Sequence, residues 1–276
     1  MPVEPVLDRK VELARMTLLE VPLACAEANG VIVIPIGATE QHGPHLPMQT
    51  DTITTEVTVL RAAKEARVVA APAIAYGNSR QNIGFAGTVS VRPSIFGEFV
   101  KDVCRSFLRH GFDKIVVVNG HGGNAAVLTV ALEEFHLETG AAVALVKCWQ
   151  LASLEAPPGA PEFEGHAGRQ ETELMLALTP EDVDRAEFVV SEPTVELGEM
   201  AGLAPPQYDP FDAPITLMIS SWESTLTGHY GDPSMATVER GRRVLDLWAE
   251  NLTRFLTRLK AGEVKITTRT EEMPAH

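Results

Sequence analysis

The sequence predicts an α/β fold built on a largely parallel sheet, and three observations carry that prediction. Short apolar runs recur along the 276 residues, helical patterns separate them, and polar or glycine-rich segments follow their carboxyl ends. The strand candidates are Val31–Ile36, Val68–Ala71, Ile115–Asn119 and Ala142–Lys147. Brief runs with almost no polar residue read as strands buried on both faces. Between them, Thr52–Ala66, Ser94–His110 and Asn124–Thr139 space their apolar residues as helices do. Strands alternating with helices place helices on both faces of a parallel sheet.

The remaining elements follow in order. Residues 9–29 carry helical spacing and stop at Asn29-Gly30, a good helix terminator. The third helix pattern has Asn124 as N-cap and Gly140 as its stop. Gly77–Val91 and Leu151–Gly168 read as long loops, the second marked by Pro157-Pro158-Gly159 and Pro161. From Ser191 to Pro214 there are five prolines and little periodicity. A helix opening near Gly168 carries Glu171 and Leu174–Leu178 and ends before Pro180; an amphipathic helix, Ala236–Leu259, closes the pattern. Nothing divides the chain, so residues 1–276 are expected to form one domain, with a polar tail from about 262 that is mobile.

Composition narrows the function. A net charge of −14 argues against nucleic acid, because phosphate binding needs clustered Lys and Arg. The apolar runs fall short of the ~20 residues a membrane span requires, and the N-terminus has no signal-peptide pattern. Cys25, Cys104 and Cys148 are widely spaced and odd in number, which indicates neither a disulfide framework nor a thiolate zinc site. A cytoplasmic protein acting on a small molecule, with no nucleic-acid or membrane partner, is the expectation.

Three segments lie where such a sheet binds ligands, beyond the carboxyl ends of strands. Glu40-Gln41-His42-Gly43-Pro44-His45-Leu46-Pro47-Met48-Gln49-Thr50-Asp51 follows the first strand. A strand that ends in Glu-x-His sends Glu40 and His42 to the same face, because strand side chains alternate, and Asp51 can fold back across the same spot. Asn119-Gly120-His121-Gly122-Gly123-Asn124 follows the third strand, and His166-Ala167-Gly168-Arg169-Gln170-Glu171-Thr172 opens a later helix. A lone loop histidine is usually only hydrogen-bonded, and a glycine-rich turn is usually only a turn. Their coincidence at one sheet edge gives carboxylates and imidazoles suited to a divalent metal. The chain has no Gly-x-Ser-x-Gly elbow and no His-Glu-x-x-His, which argues against a serine hydrolase or a thermolysin-like protease.

In this order the three segments resemble the creatininase (creatinine amidohydrolase) family. Gly37 through Asp51 is similar to its signature, Asn119–Asn124 to its second motif, and His166-Ala167-Gly168 with Glu171-Thr172 to its third. Gly228-His229-Tyr230-Gly231-Asp232-Pro233 is a weaker echo of its C-terminal pattern. The resemblance implies a three-layer α/β/α sandwich, a homo-oligomer that is often a hexamer, and two divalent metals per chain. The implied ligands are Glu40, His42, Asp51 and His121, with Asp51 bridging. Creatininase takes a fifth ligand from a glutamate where this chain has Gly123; relatives with the glycine-rich form recruit the glutamate of the third motif, here Glu171. Creatinine is therefore not the expected substrate.

The chemistry implied is metal-assisted hydrolysis of a C–N bond in a lactam, formamide or other amide. Zinc, manganese and iron all accept such ligands; bound, they lower the pKa of water from 15.7 toward ~7. His166 is the candidate to carry a proton to the leaving nitrogen, with Glu171 as its companion at the catalytic edge. Gln41 and His45 are expected to orient ligands from behind. Ser79, Asn82, Gly122, Gly123 and Trp149 are the candidate substrate contacts, although a single Trp is as readily core. Other readings within the family are a keto-inositol or lactone hydrolase, a deformylase of ribosylated pyrimidines and a precursor-peptide peptidase. Outside it stands a non-catalytic assembly protein whose metal is structural.

Overall fold

The structure is a computed structural model that describes residues 11–160, 165–191 and 220–264. The N-terminal ten residues, Pro161, the proline-rich stretch after Ser191 and the tail beyond 264 lie outside the described residues.

Four strands, β1 (Val31–Ile36), β2 (Val69–Ala70), β3 (Lys114–Asn119) and β4 (Ala142–Lys147), form one sheet in the order β2-β1-β3-β4. All neighbours are parallel, with Val31 level with Lys114 and Lys114 level with Ala142. Every residue of β1 is buried, which explains its unbroken Val/Ile/Pro run, whereas β4 at the edge is half-buried throughout. From β1 the chain moves to one side to build β2, then crosses to the other to build β3. That reversal leaves a crevice between β1 and β3 at their carboxyl ends.

Six helices of eight residues or more are described: α1 (Glu20–Glu27), α2 (Thr50–Ala66), α3 (Pro93–Arg109), α4 (Ala125–Thr139), α5 (Arg169–Leu178) and, after the single turn α6 (Ser221–Ser224), α7 (Val238–Lys260). α2 lies on β1 and packs with α5 and α7, while α3 and α4 pack together with α4 against β4. The result is the three-layer α/β/α sandwich. α7 buries Val244, Leu245, Trp248, Leu252, Leu256 and Leu259 on one stripe, each large side chain contributing about 1.5–3 kcal/mol of burial. The Trp248 indole donates to the Ala152 carbonyl at 2.8 Å, fixing the loop after β4 to this helix. No helix among the described residues is long and apolar enough to cross a membrane.

The structure corrects three local expectations. Helix over 9–29 shrinks to a 3-10 turn at Leu13–Arg15 and α1; Pro22 has no N–H to give and crowds the carbonyl four residues back, so the helix starts just before it. α2 begins at Thr50, two residues early, placing Asp51 in its first turn. Asn124 precedes α4 in helical geometry without capping it; its carboxamide instead donates to the Gly37 carbonyl at 3.0 Å and accepts from Asn78 N–H at 2.8 Å.

Candidate metal centre

The crevice between β1 and β3 is lined by tightly tethered loops. β1 ends at Ile36, so Glu40 and His42 do not belong to the strand and strand alternation does not aim them. A loop does: Glu40 N–H donates to the Met48 carbonyl at 2.9 Å, and His42 bridges Leu46. The loop then delivers Asp51 on the first turn of α2. Gly37 allows α2 to approach this closely, since a Cβ there would lie 2.5 Å from the Thr52 backbone nitrogen. On the other side Asn119, the last residue of β3, brackets His121 by accepting its N–H at 3.1 Å and donating to its carbonyl at 2.8 Å. His166 and Glu171 come from the entry to α5; Glu171 Oε2 accepts from Ala167 N–H at 2.5 Å.

Three imidazoles converge here, each with one nitrogen against a main-chain carbonyl. His42 Nδ1 lies 3.1 Å from the Glu40 carbonyl, His121 Nε2 3.0 Å from the Asn78 carbonyl, and His166 Nε2 2.7 Å from the Gln41 carbonyl. A carbonyl only accepts, so each of these nitrogens carries a proton, and the other nitrogen is left for a metal ion or, without one, for a second proton. Those second nitrogens face carboxylates. His42 Nε2 is 3.1 Å from Asp51 Oδ1 and 3.8 Å from Glu171 Oε2. His121 Nδ1 is 3.2 Å from Glu40 Oε1 and 3.1 Å from Asp51 Oδ2, while His166 Nδ1 is 3.5 Å from Glu40 Oε1. Glu40 Oε1 and Asp51 Oδ2 are buried and accept no hydrogen bond. Carboxylates buried this close together call for positive charge between them, from a metal ion or from protons on the imidazoles.

Glu40, Asp51 and His121 form one group able to hold an ion, His42, Asp51 and Glu171 a second, and Glu40, His42 and His166 a third. Their nitrogen and oxygen donors fit a divalent ion such as zinc.

The ionisation of these groups tells the same story. Burial pulls the His42 pKa down, but the charge and hydrogen bond of Asp51, with Glu171 and Glu40 beyond, push it up to about 10. Against the same burial penalty, Glu40 and Asp51 hold His121 well above its ordinary value. Glu40 would be raised by burial, yet His121 and His166 bring it down to about 2; His42 and His121 likewise depress Asp51. Burial and the neighbouring His42 lower His166 to about 4. Glu171 is lifted by burial to about 7, although 29% of its side chain remains exposed. Without a metal, protons supply the positive charge the carboxylates require.

Ser79 is buried with its hydroxyl 3.4 Å from His121 Nε2. Asn82 is fully buried, with its amide turned to Gln41 and Glu40. A Cβ on Gly122 would meet nothing within 4 Å, whereas one on Gly123 would lie 2.3 Å from the Asn78 carbonyl oxygen and 2.5 Å from His121 Nε2. Trp149 packs, half-buried, against the main core in the turn after β4. Gln41 ties Asn82 to the Gly228 carbonyl, and His45 Nε2 meets the Thr172 hydroxyl at 3.0 Å. The carbonyls of Gln41 and Asn78 went unread in the sequence, since main-chain acceptors leave no mark on residue identity.

Paired carboxylate–imidazole clusters at the carboxyl edge of an α/β/α sandwich define the class: a metal-dependent hydrolase. The family model described as creatinine amidohydrolase matches residues 14–256. A mycofactocin precursor peptide peptidase of Mycolicibacterium smegmatis is 33% identical over 222 residues, 78% of this chain and 79% of that protein. Creatinine amidohydrolase of Pseudomonas putida is 27% identical over 267 residues, 89% of this chain and 96% of that one. A creatininase variant in its Zn-Zn form superposes with a TM-score of 0.76 at 25% identity, covering 90% of this chain and 97% of that one. The chain belongs to the creatininase family.

Proposed function

We propose that this chain hydrolyses a C–N amide bond of a small molecule, with two divalent ions of zinc, manganese or iron per chain. Glu40, Asp51 and His121 would hold one ion and His42, Asp51 and Glu171 the other. The observation that carries this reading is Asp51: its Oδ1 faces His42 and its Oδ2 faces His121, each at 3.1 Å, the posture of a bridging carboxylate. Such ions supply Lewis acidity, making water acidic enough to attack at neutral pH and polarising the carbonyl it attacks.

The chain's own residues do the rest. The carbonyls of Glu40, Gln41 and Asn78 fix the three imidazoles before substrate arrives. His166, neutral at pH 7 with Nδ1 turned inward, takes a proton from the attacking water and returns it to the leaving nitrogen. Glu171, on the exposed side, faces incoming substrate, and the open space above Gly122 leaves room for it. Creatinine is not the substrate in this reading: a glutamate at 123 would collide with the carbonyl that orients His121. A cytoplasmic homohexamer completes the reading, and light scattering tests the assembly.

Lactams, formamides and short peptide amides, offered to protein with and without chelator, test the proposal. Turnover that chelation abolishes and zinc or manganese restores is the expected result. Turnover indifferent to chelation would contradict it.

A further inference from the structure

Asn82 ends the 3-10 turn Arg80–Asn82 and is fully buried. Its carboxamide sits between two side chains: Gln41 Nε2 lies 3.0 Å from Asn82 Oδ1, and Asn82 Nδ2 lies 2.9 Å from Glu40 Oε2. A backbone group fixes the direction of these bonds. Gly43 N–H can only donate, and it reaches Gln41 Oε1 at 2.8 Å. Gln41 therefore presents its amino group on the other side, where the Gly228 carbonyl accepts at 2.6 Å. Asn82 must then turn its oxygen to Gln41 and its amino group to Glu40.

That bond occupies Glu40 Oε2. It leaves Oε1 buried, accepting no hydrogen bond, 3.2 Å from His121 Nδ1 and 3.5 Å from His166 Nδ1. We propose that Asn82 is a positioning residue of the metal centre: oriented by Gln41, it holds Glu40 so that a single carboxylate oxygen faces the ion shared with Asp51 and His121. The proposal rests on the two-ion reading above and assigns Asn82 to the ion's side of the site rather than the substrate's. It also ties the centre to the far wall, because α6 packs on the Arg80–Asn82 turn and Gly228 anchors Gln41.

The test is a zinc competition titration of the full chain against a chromogenic chelator. It compares wild type, Asn82→Asp and Gln41→Glu, with circular dichroism to confirm the fold. Aspartate keeps the shape of asparagine but sets an acceptor against Glu40 Oε2. Gln41→Glu removes the donor that orients Asn82, so the Asn82 amide rotates and meets Glu40 with its oxygen. The tighter zinc should weaken by about 10–100-fold in Asn82→Asp, as when a partner behind a metal ligand is lost, and by a smaller factor in Gln41→Glu. The weaker zinc should be retained in both. Should Asn82→Asp fail to fold, Gln41→Glu decides. Wild-type zinc affinity in the variants, with or without a raised KM, overturns the positioning role alone. A wild type that binds no zinc overturns the two-ion reading and this proposal with it.

Discussion

The two halves of the centre share Asp51 and differ in their exposure. On one side Glu40, Asp51 and His121 are buried: Asn82 holds Glu40 and Asn119 and Asn78 hold His121, while Asp51 is carried on the first turn of α2. On the other, His42 and Asp51 are equally buried, but the third donor is Glu171, whose side chain is 29% exposed. A closed set of protein donors holds an ion; a set with an open side leaves room for water and substrate. In the two-ion reading proposed above, the contrast would give retention to the Glu40 half and reaction to the Glu171 half.

The shared residue offers the harshest test. Asp51→Ala should cost both ions and lower kcat/KM by at least about 10³-fold, consistent with several kcal/mol of Lewis-acid stabilisation; elemental analysis and steady-state kinetics measure it. One step down, Glu40→Gln and Glu171→Ala should each leave about one zinc per chain, the former losing the slowly exchanging ion and the latter the fast one. Chelator-exchange kinetics distinguish them, and equal exchange rates would erase the contrast.

Crowding only the buried half should have a milder effect. Gly123→Glu pushes a Cβ toward the Asn78 carbonyl and His121, so the variant should be about 1–3 kcal/mol less stable and still fail to hydrolyse creatinine. Thermal melts and a creatinine assay check both. The smallest effect is in pH. His42 rises from 6.5 to about 10 and Glu171 from 4.5 to about 7. Groups raised on folding stabilise fully below their unfolded values and lose that contribution as pH climbs through the folded ones. His166, lowered to about 4, acts the opposite way up to its unfolded 6.5, so metal-free protein should weaken as pH rises from about 6.5 toward about 10, whereas zinc, which displaces these protons, binds better. The gap in Tm between loaded and metal-free protein should widen with pH.

How much of this was legible varied with the physics behind each feature. β1 and β4 lie where the apolar pattern puts them, and β3 agrees to within a residue, because strands packed under helices tolerate few polar residues. The clustering of Glu40, His42, Asp51, His121, His166 and Glu171 was also legible, since distinctive residue types recur beyond strand ends. Their aim was not. Glu40 and His42 are set by a loop closed through Glu40 N–H and Met48, and Asp51 by a helix that starts at Thr50 without a side-chain cap. Asn124 resembled a cap because polar residues in loops have many uses, and only its tertiary contacts with Gly37 and Asn78 show that it is not one.

The most direct measurement is zinc binding by metal-free wild type and Glu171→Ala, followed by calorimetry. Two sites of unequal affinity in wild type, with only the weaker lost in Glu171→Ala, is the result this account predicts. A single site in wild type, or loss of the tighter site in the variant, would contradict it.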